Sequence, residues 1–288
     1  SQEVPGEFGR MAAQTAKQVI IQKLREAERK NVFEDFKNQE GRVVQGIIQR
    51  RDRSGGLIID LGKITGRVPA TDIVRGEMYR PGSRMQFYVV SVKMEARGPE
   101  IVLSRSTNKM VQSVFEQEIP EVEDGSVQIK DISRDPGNRS KVAVMTEDES
   151  IDPIGACIGQ RGSRITTIIN ELGGEKIDVI EWNEDHVQYI KNALSPAKVL
   201  GVELNETEEE KIAIVKVDAD QFSLAIGRGG VNVRLAAQLT GWKIDVVQEG
   251  VEEEPSNDDE DADTAVLEQE KEETPEETAE EIVTEVES

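Results

Sequence analysis

The chain of 288 residues contains an internal repeat centred on two short glycine loops. The first loop runs from Gly159 to Gly162 and the second from Gly227 to Gly230, an offset of 68 residues. Similar apolar segments flank both loops, and each copy is predicted to form a strand, a helix, the loop, a helix and a strand. Two copies in the same order predict two small α+β domains of one kind, which restricts the folds open to this chain.

Each loop has the pattern Gly-x-x-Gly, which suits contact with a phosphodiester backbone. Glycine has no Cβ, so a phosphate can approach closely, and the following helix presents free N–H groups and its positive dipole end. A KH module clamps about four nucleotides of single-stranded RNA in this way. Ile158 and Ile226 are expected to pack under the loops. The candidate RNA contacts are the loop residues and polar residues of the first turns after them: Gly159, Gln160, Arg161, Gly162, Arg164, Gly227, Arg228, Gly229, Gly230, Asn232 and Arg234.

Other glycine-rich loops fit the two copies less well. Neither copy ends in Gly-Lys-Ser/Thr, which excludes an ATP-binding P-loop. Both loops are predicted between helices rather than after a strand, which excludes a dinucleotide-binding fingerprint. A generic glycine turn between two helices stays the alternative for each loop, and a solvated helix face stays the alternative for each polar residue after it.

Residues 40–108 show a period of two and predict about five short strands, typical of a small closed barrel. This segment has 12 basic and 7 acidic residues, a net charge of +5. Phe87 and Tyr88 are expected on opposite faces of one strand, so at most one of them faces RNA. A surface that only keeps the barrel soluble is the alternative to a phosphate-binding one. The basic candidates for phosphate contact are Arg42, Arg50, Arg51, Arg53, Lys63 and Arg67.

The two ends of the chain differ from the middle. Residues 7–36 predict a helix with one apolar stripe that needs a partner, either a further N-terminal domain or another protein. Residues 249–288 have 19 acidic residues and 1 basic residue, which predicts a disordered tail that carries most of the net charge of −22. We therefore expect a multidomain α+β chain with five parts: a linker helix (1–39), a barrel (40–108), two related domains (109–180 and 181–248) and the acidic tail (249–288).

Composition argues against several classes of protein. Cys157 and His186 are the single cysteine and histidine of the chain, which excludes an internal disulfide and leaves no set of ligands for a Cys- or His-based metal site. Cys157 is expected to be a buried small side chain, and His186 to begin a helix. No constellation suggests catalysis, so we expect no catalytic residue, no cofactor and no metal. No membrane segment or signal peptide is recognisable, and a cytoplasmic monomer is expected.

Several segments of the chain form a set of motifs in a fixed order. They are Phe8-Gly9-Arg10, residues 13–20 and 23–29, Arg134-Asp135-Pro136-Gly137-Asn138-Arg139, residues 151–162 and residues 225–236. Through these motifs, about residues 7–248 resemble the NusA family of bacterial transcription elongation and termination factors.

The resemblance implies a linker helix from a polymerase-binding N-terminal domain, an S1-type OB barrel and two tandem type II KH domains. It also implies binding to nascent single-stranded RNA and RNA polymerase, contacts with other elongation or antitermination factors, and control of pausing, termination and antitermination. The globular head of the N-terminal domain is expected to be missing.

Two other functions are compatible with KH and S1 modules. One is an RNA-binding appendage of an RNA-degrading enzyme, although such enzymes carry one KH module, in the reverse order, after a large catalytic core. The other is a translation-linked RNA chaperone without any contact to RNA polymerase.

Overall fold

A computed structural model describes residues 6–96, 98–207 and 210–249, which belong to one compact unit. The predicted disordered tail, from residue 250 onward, lies outside the described residues. The helices are α1 (Gly6–Lys37), α2 (Asn108–Glu118), α3 (Pro120–Glu123), α4 (Pro153–Ile158), α5 (Ser163–Glu171), α6 (His186–Ala193), α7 (Ala219–Ile226) and α8 (Val231–Thr240). The strands are β1 (Val43–Arg51), β2 (Leu57–Asp60), β3 (Thr65–Val68), β4 (Arg84–Glu95), β5 (Gly98–Ser104), β6 (Gln128–Asp135), β7 (Arg139–Met145), β8 (Lys176–Glu181), β9 (Val199–Glu206), β10 (Lys211–Val217) and β11 (Lys243–Gln248).

Helix α1 matches the helix predicted for residues 7–36 to within a residue at each end. Its C-terminal end is anchored because Phe36 is buried in the core of the barrel. Towards the N-terminus the apolar stripe is exposed among the described residues, with Ile20 at 67% and Leu24 at 59% exposure. The stripe is therefore left open for a partner, as its sequence pattern indicated.

The five strands β1 to β5 close into a barrel in the order β1-β2-β3-β5-β4, as predicted. The barrel closes where β3 and β5 run parallel, with Arg67 opposite Val102. Phe87 and Tyr88 do lie on opposite sides of β4, yet both are buried, Phe87 inside the barrel and Tyr88 against α2. Neither aromatic ring is free to stack on RNA bases.

The repeat forms two mixed three-stranded sheets of the same topology. In the first, β6 is antiparallel to β7, and β7 is parallel to β8. In the second, β9 is antiparallel to β10, and β10 is parallel to β11. Each sheet follows a helix and carries two helices between its last two strands, which is the type II KH arrangement that the resemblance implied. Sequence periodicity located the two later strands of each sheet but not β6, β9 or α2.

Strand β7 joins the two KH domains because both of its faces are covered. Val142 and Val144 point towards the core of the first domain, whereas Ala143 joins the core of the second. On the same face as Ala143, the buried ammonium group of Lys141 donates to the Ser195 carbonyl of the second domain at 2.9 Å. The two KH domains therefore form one continuous body.

A buried arginine of the barrel joins it to the first KH domain. The Arg105 guanidinium bonds both carboxylate oxygens of Glu77 and also donates to the Glu171 carbonyl, at the end of α5, at 3.1 Å. The Glu77 carboxylate also accepts a hydrogen bond from the Tyr79 hydroxyl. Arg105 is 1% exposed, so these hydrogen bonds take the place of those that its guanidinium would make with water.

The segment Arg134 to Arg139, one of the family motifs, is the hairpin between β6 and β7. The guanidinium of Arg134 pairs with the fully buried carboxylate of Glu175 at 2.9 Å. The Gly137 amide donates to the same carboxylate at 2.8 Å, and Arg139 pairs with Asp178 at 2.6 Å. The charges of this motif therefore fix the hairpin onto β8.

Candidate nucleic-acid interface

The two glycine loops have nearly identical backbones. The first glycine has φ/ψ of 73°/175° at Gly159 and 74°/167° at Gly227. A single 3-10 turn follows in each, and the last glycine is left-handed, with φ of 77° at Gly162 and 71° at Gly230. The internal repeat thus extends to the dihedral angles of the loops, and a generic helix turn would not require this agreement.

Arg161 is the one non-glycine residue with positive φ in the described part of the chain. Its φ/ψ of 53°/26° match the 60°/28° of Gly229 at the equivalent place in the second loop. An L-residue in this region costs about 1–2 kcal/mol. The first loop therefore holds a charged side chain where the second has only backbone.

A helix begins directly after each loop, α5 at Ser163 and α8 at Val231. The N-caps are Gly162 and Gly230, and neither has a side chain that could accept the free N–H groups of the first turn. These amides and the positive end of the helix dipole are therefore available to an anion.

The structure separates the four arginines near the loops into two kinds. Arg161 and Arg228 are exposed and have no ion pair with any described residue. In contrast, Arg164 bonds Glu121 at 2.8 Å, and Arg234 bonds Asp135 of the first KH domain at 3.1 Å. Arg161 and Arg228 are the arginines that phosphate can reach without breaking an existing pair.

The side chain of Asn232, a predicted RNA contact, is buried rather than presented on the surface. Its exposure is 2%, and its amide group donates to the carbonyls of Leu194, Leu224 and Ala225 at 3.0, 3.3 and 2.9 Å. Position along α8 had suggested a polar residue at the rim of the loop. The structure turns the side chain inwards under the loop instead.

Apolar side chains beside the loops are more exposed than the sequence suggested. Ile158, expected to pack under the first loop, is 37% exposed, while Ile226 is half-buried. Leu224 is 43% exposed on α7 and was not singled out from the sequence. Exposed aliphatic groups therefore lie beside the loops, next to the candidate phosphate contacts.

The basic residues predicted on the barrel have different environments. Arg42 is exposed, and Arg51 donates only a long 3.5 Å bond to the Gly55 carbonyl. Lys63 pairs with Asp35 of α1 at 2.6 Å, and Arg67 bonds Asp52 at 2.9 Å. Phosphate contact by Lys63 or Arg67 therefore requires an exchange of partners, whereas Arg42 and Arg51 are open.

A groove of about 490 Å³ on the barrel was not predicted from the sequence. It lies beside the parallel pairing of β3 and β5. Two acidic residues, Glu95 and Glu100, line it together with Arg67, so its charge does not mark it as a phosphate site. The other residues along it include Ile58, Thr65, Gly66, Pro99 and Ile101.

Cys157 and His186 have structural environments, as expected. Cys157 is fully buried, and burial raises the pKa of its thiol to about 12. His186 is the first residue of α6, and its ring lies 5.5 Å from that of Trp242. Within the described ranges, no helix has the length and apolar character that crossing a membrane requires.

Comparison with protein-family models matches four consecutive segments of the chain. A NusA N-terminal domain model matches residues 1–30, and an S1 RNA binding domain model matches residues 37–106. A NusA-like first KH domain model matches residues 105–182, and a NusA-like second KH domain model matches residues 186–254. Both glycine loops lie inside the KH matches.

Curated relatives called transcription termination/antitermination protein NusA are similar over most of this chain. The protein of Halalkalibacterium halodurans is 46% identical over 279 residues, which cover 96% of this chain and 72% of the relative. The Bacillus subtilis protein is 46% identical, covering 85% and 65%, and the Thermus thermophilus protein is 45% identical, covering 83% and 62%. The chain thus spans about two thirds of the length of these relatives, and it belongs to the NusA family of transcription termination/antitermination proteins.

Proposed function

We propose that this chain binds single-stranded nascent RNA while it is associated with RNA polymerase, and so modulates pausing, termination and antitermination. The supporting observation is the pair of loops with matching backbones, each with one exposed arginine at the start of an uncapped helix. A phosphodiester backbone complements both features at once, because it needs a positive charge and N–H donors at close range.

The proposed RNA contacts are the two glycine loops and the open cations of the barrel. Within the loops, Arg161 and Arg228 supply charge to the phosphates, and Gly162 and Gly230 leave room for the strand. Arg42 and Arg51 add phosphate contacts on the barrel, with Lys63 and Arg67 contributing where RNA displaces their carboxylate partners. The loop residues are Gly159, Gln160, Arg161, Gly162, Gly227, Arg228, Gly229 and Gly230.

The division into a linker helix, barrel, first KH domain, second KH domain and tail at residues 39/40, 108/109, 180/181 and 248/249 is part of this proposal. So are a monomeric state, a cytoplasmic location, the absence of a catalytic role and contacts with other elongation or antitermination factors. Membership of a family named for transcription termination and antitermination favours this function over an appendage of an RNA-degrading enzyme or a translation-linked chaperone.

The first experiment replaces both residues between the glycines of each loop with Asp, as Gln160→Asp/Arg161→Asp and Arg228→Asp/Gly229→Asp. Asp tolerates the left-handed conformation better than most residues, so the loop backbone is preserved while phosphate is repelled. A matched control, Lys17→Asp/Gln18→Asp on exposed α1, makes the same change in charge as the first loop variant.

Binding is measured by fluorescence anisotropy with a labelled single-stranded RNA over a series of salt concentrations. We expect each loop variant to bind at least tenfold more weakly and the control to bind nearly as well as the original protein. The slope of log affinity against log salt should shrink by about 0.7 for each phosphate that the variant no longer neutralises. Unchanged RNA binding by folded loop variants would overturn the proposed interface.

The second experiment tests the role in transcription. RNA polymerase transcribes a template with a pause site and an intrinsic terminator, with and without the chain and its loop variants. We expect the chain to change pause lifetime or termination efficiency, and the loop variants to lose that effect. RNA binding with no effect on polymerase would favour the chaperone function instead.

A further inference from the structure

Behind each glycine loop lies a polar side chain, at the fifth position after the first glycine of the loop. In the first loop this residue is Arg164, and in the second it is Asn232. A Cβ added to Gly159 would come within 2.8 Å of the Arg164 side chain, and a Cβ added to Gly227 would come equally close to that of Asn232. Packing against the protein itself therefore requires a glycine at the first position of each loop, independently of any contact with RNA.

Both side chains bond backbone carbonyls at the end of the helix that precedes the loop. The last carbonyls of a helix lack partners within the helix and need another donor. Arg164 donates to the Ala156 carbonyl of α4 at 2.7 Å. Asn232 donates to the Leu224 and Ala225 carbonyls of α7 at 3.3 and 2.9 Å. Two chemically different residues thus perform the same capping at equivalent positions.

Each side chain also ties the loop to a more distant part of its domain. Arg164 pairs with Glu121 of α3 at 2.8 Å. Asn232 donates to the carbonyl of Leu194, just after α6, at 3.0 Å. The helix before the loop, the helix after it and a third segment therefore meet at one side chain. Such a contact fixes the angle between the two helices, and with it the direction of the loop amides.

We propose that Arg164 and Asn232 are positioning residues that hold the two glycine loops in the geometry that binds RNA, and that neither contacts RNA itself. The inference rests on the proposed function and adds a cause for the shape of the loops. It also explains why the residue types differ. A buried Asn suffices where three carbonyls lie close, whereas the first loop needs the reach of an Arg to include Glu121.

The test measures amide hydrogen exchange in the RNA-free protein with Asn232→Ala and Arg164→Met. In each loop the amide of the last glycine donates to the carbonyl of the first, at 3.1 Å in Gly162 and 3.0 Å in Gly230, so its exchange reports on loop opening. We expect Asn232→Ala to speed exchange at Gly230 roughly fivefold, the effect of losing about one net hydrogen bond, and to leave Gly162 unchanged. Arg164→Met should do the reverse, so each loop serves as the control for the other.

The same variants should bind single-stranded RNA several-fold more weakly, with core amides such as those of Val144 and Val215 exchanging at their original rates. If affinity falls while loop exchange stays unchanged, the residue contacts RNA directly and the proposal is overturned. Unchanged exchange and unchanged affinity overturn it as well. If those variants fail to fold, Asn232→Ser and Arg164→Lys, which keep a shorter or less branched donor group, replace them and should show intermediate exchange. Exchange equal to that of the original protein would again overturn the proposal.

The outcome also separates this inference from the proposed function. Loss of RNA binding in the Asp loop variants, together with no effect of Asn232→Ala, leaves the RNA interface in place and removes only the positioning role. Failure of the Asp loop variants to alter RNA binding removes the interface, whereas the exchange measurements still report on how the loops are held.

Discussion

The left-handed backbone of Arg161 predicts opposite effects for two similar substitutions. Replacing Arg161 with Gly removes a conformational cost of about 1–2 kcal/mol. It also adds freedom to the unfolded chain, which costs about 0.4–1 kcal/mol. The net expectation is that Arg161→Gly stabilises the protein by roughly 0.5–1 kcal/mol. Arg228, the arginine of the second loop, has no positive φ. Arg228→Gly therefore relieves no backbone strain, and it should lower the free energy of unfolding by roughly 0.5–1 kcal/mol.

Urea unfolding of both variants beside the original protein gives the two differences in free energy of unfolding. Each variant lacks one arginine of an exposed loop position, so the change in charge is common to both and cancels in the comparison. RNA binding should weaken in both, on the order of tenfold, because a charge-assisted hydrogen bond to phosphate is removed. The salt slope should shrink by about 0.7 in each.

A gain of stability with a loss of RNA affinity at Arg161 would indicate that the protein keeps a strained residue for the sake of its ligand. Equal destabilisation by the two substitutions would refute the strain argument. Full RNA affinity in Arg161→Gly would refute the assignment of this arginine to phosphate.

Three further predictions concern stability and protonation. Arg105→Met leaves the carboxylate of Glu77 buried without its partner and should lower the free energy of unfolding by roughly 3–5 kcal/mol in urea titrations, while Arg105→Met with Glu77→Leu should recover much of the loss. The thiol of Cys157, with a pKa raised to about 12 by burial, should not react with a disulfide reagent at about pH 8 until urea unfolds the protein. Hydrogen bonds from Ser54, and then from Arg67, lower the pKa of the Asp52 carboxyl to about 2. The turn that Asp52 stabilises should therefore persist at neutral and mildly acidic pH and loosen only as pH falls towards about 2, which carboxyl-detected NMR titration can measure.

The sequence predicted most of the architecture because the signals involved are local or repeated. The glycine loops, the strands that close each copy and the helix start at His186 follow from patterns within short windows. The period of two and the spacing of the turns indicated about five strands and a closed barrel, whereas the order of the strands came only from the structure. The type of KH fold followed from the family motifs and not from periodicity, because β6 and β9 lie outside the repeated segments around the glycine loops.

The environment of individual side chains was predicted less well, since it depends on contacts between distant segments. Asn232 is placed on a helix by its neighbours, but its burial is decided by the carbonyl of Leu194, 38 residues earlier. Tyr88 alternates with Phe87 as expected, yet its side of the strand is covered by α2 of the next domain. The spacing of residues in the sequence predicts which face of an element a residue occupies, but the packing of the domains determines what covers that face.

The distribution of ion pairs explains how acidic KH domains can present an RNA-binding surface. Residues 109–180 contain 14 acidic and 8 basic side chains, so net charge alone argues against RNA. Several of these charges, however, are engaged inside the protein. Arg134 pairs with Glu175, while Arg139 and Lys141 both pair with Asp178. These pairs fix the hairpin and the junction with the second domain.

In the proposed interface, RNA meets the remainder: an exposed arginine on each loop, set beside uncapped helix amides. Because Arg234 of α8 pairs with Asp135 and Ser133 bonds Gln238 at 3.1 Å, the helix that follows the second loop is fixed to the sheet of the first domain. The two exposed arginines are therefore carried by one continuous body. In the proposed interface, a strand bound to the first loop reaches the second without the entropy cost of ordering a flexible linker. Buried pairs such as Arg134 with Glu175 thus make the net charge uninformative, while the contacts of Arg234 with Asp135 and of Ser133 with Gln238 hold the helix after the second loop against the first domain.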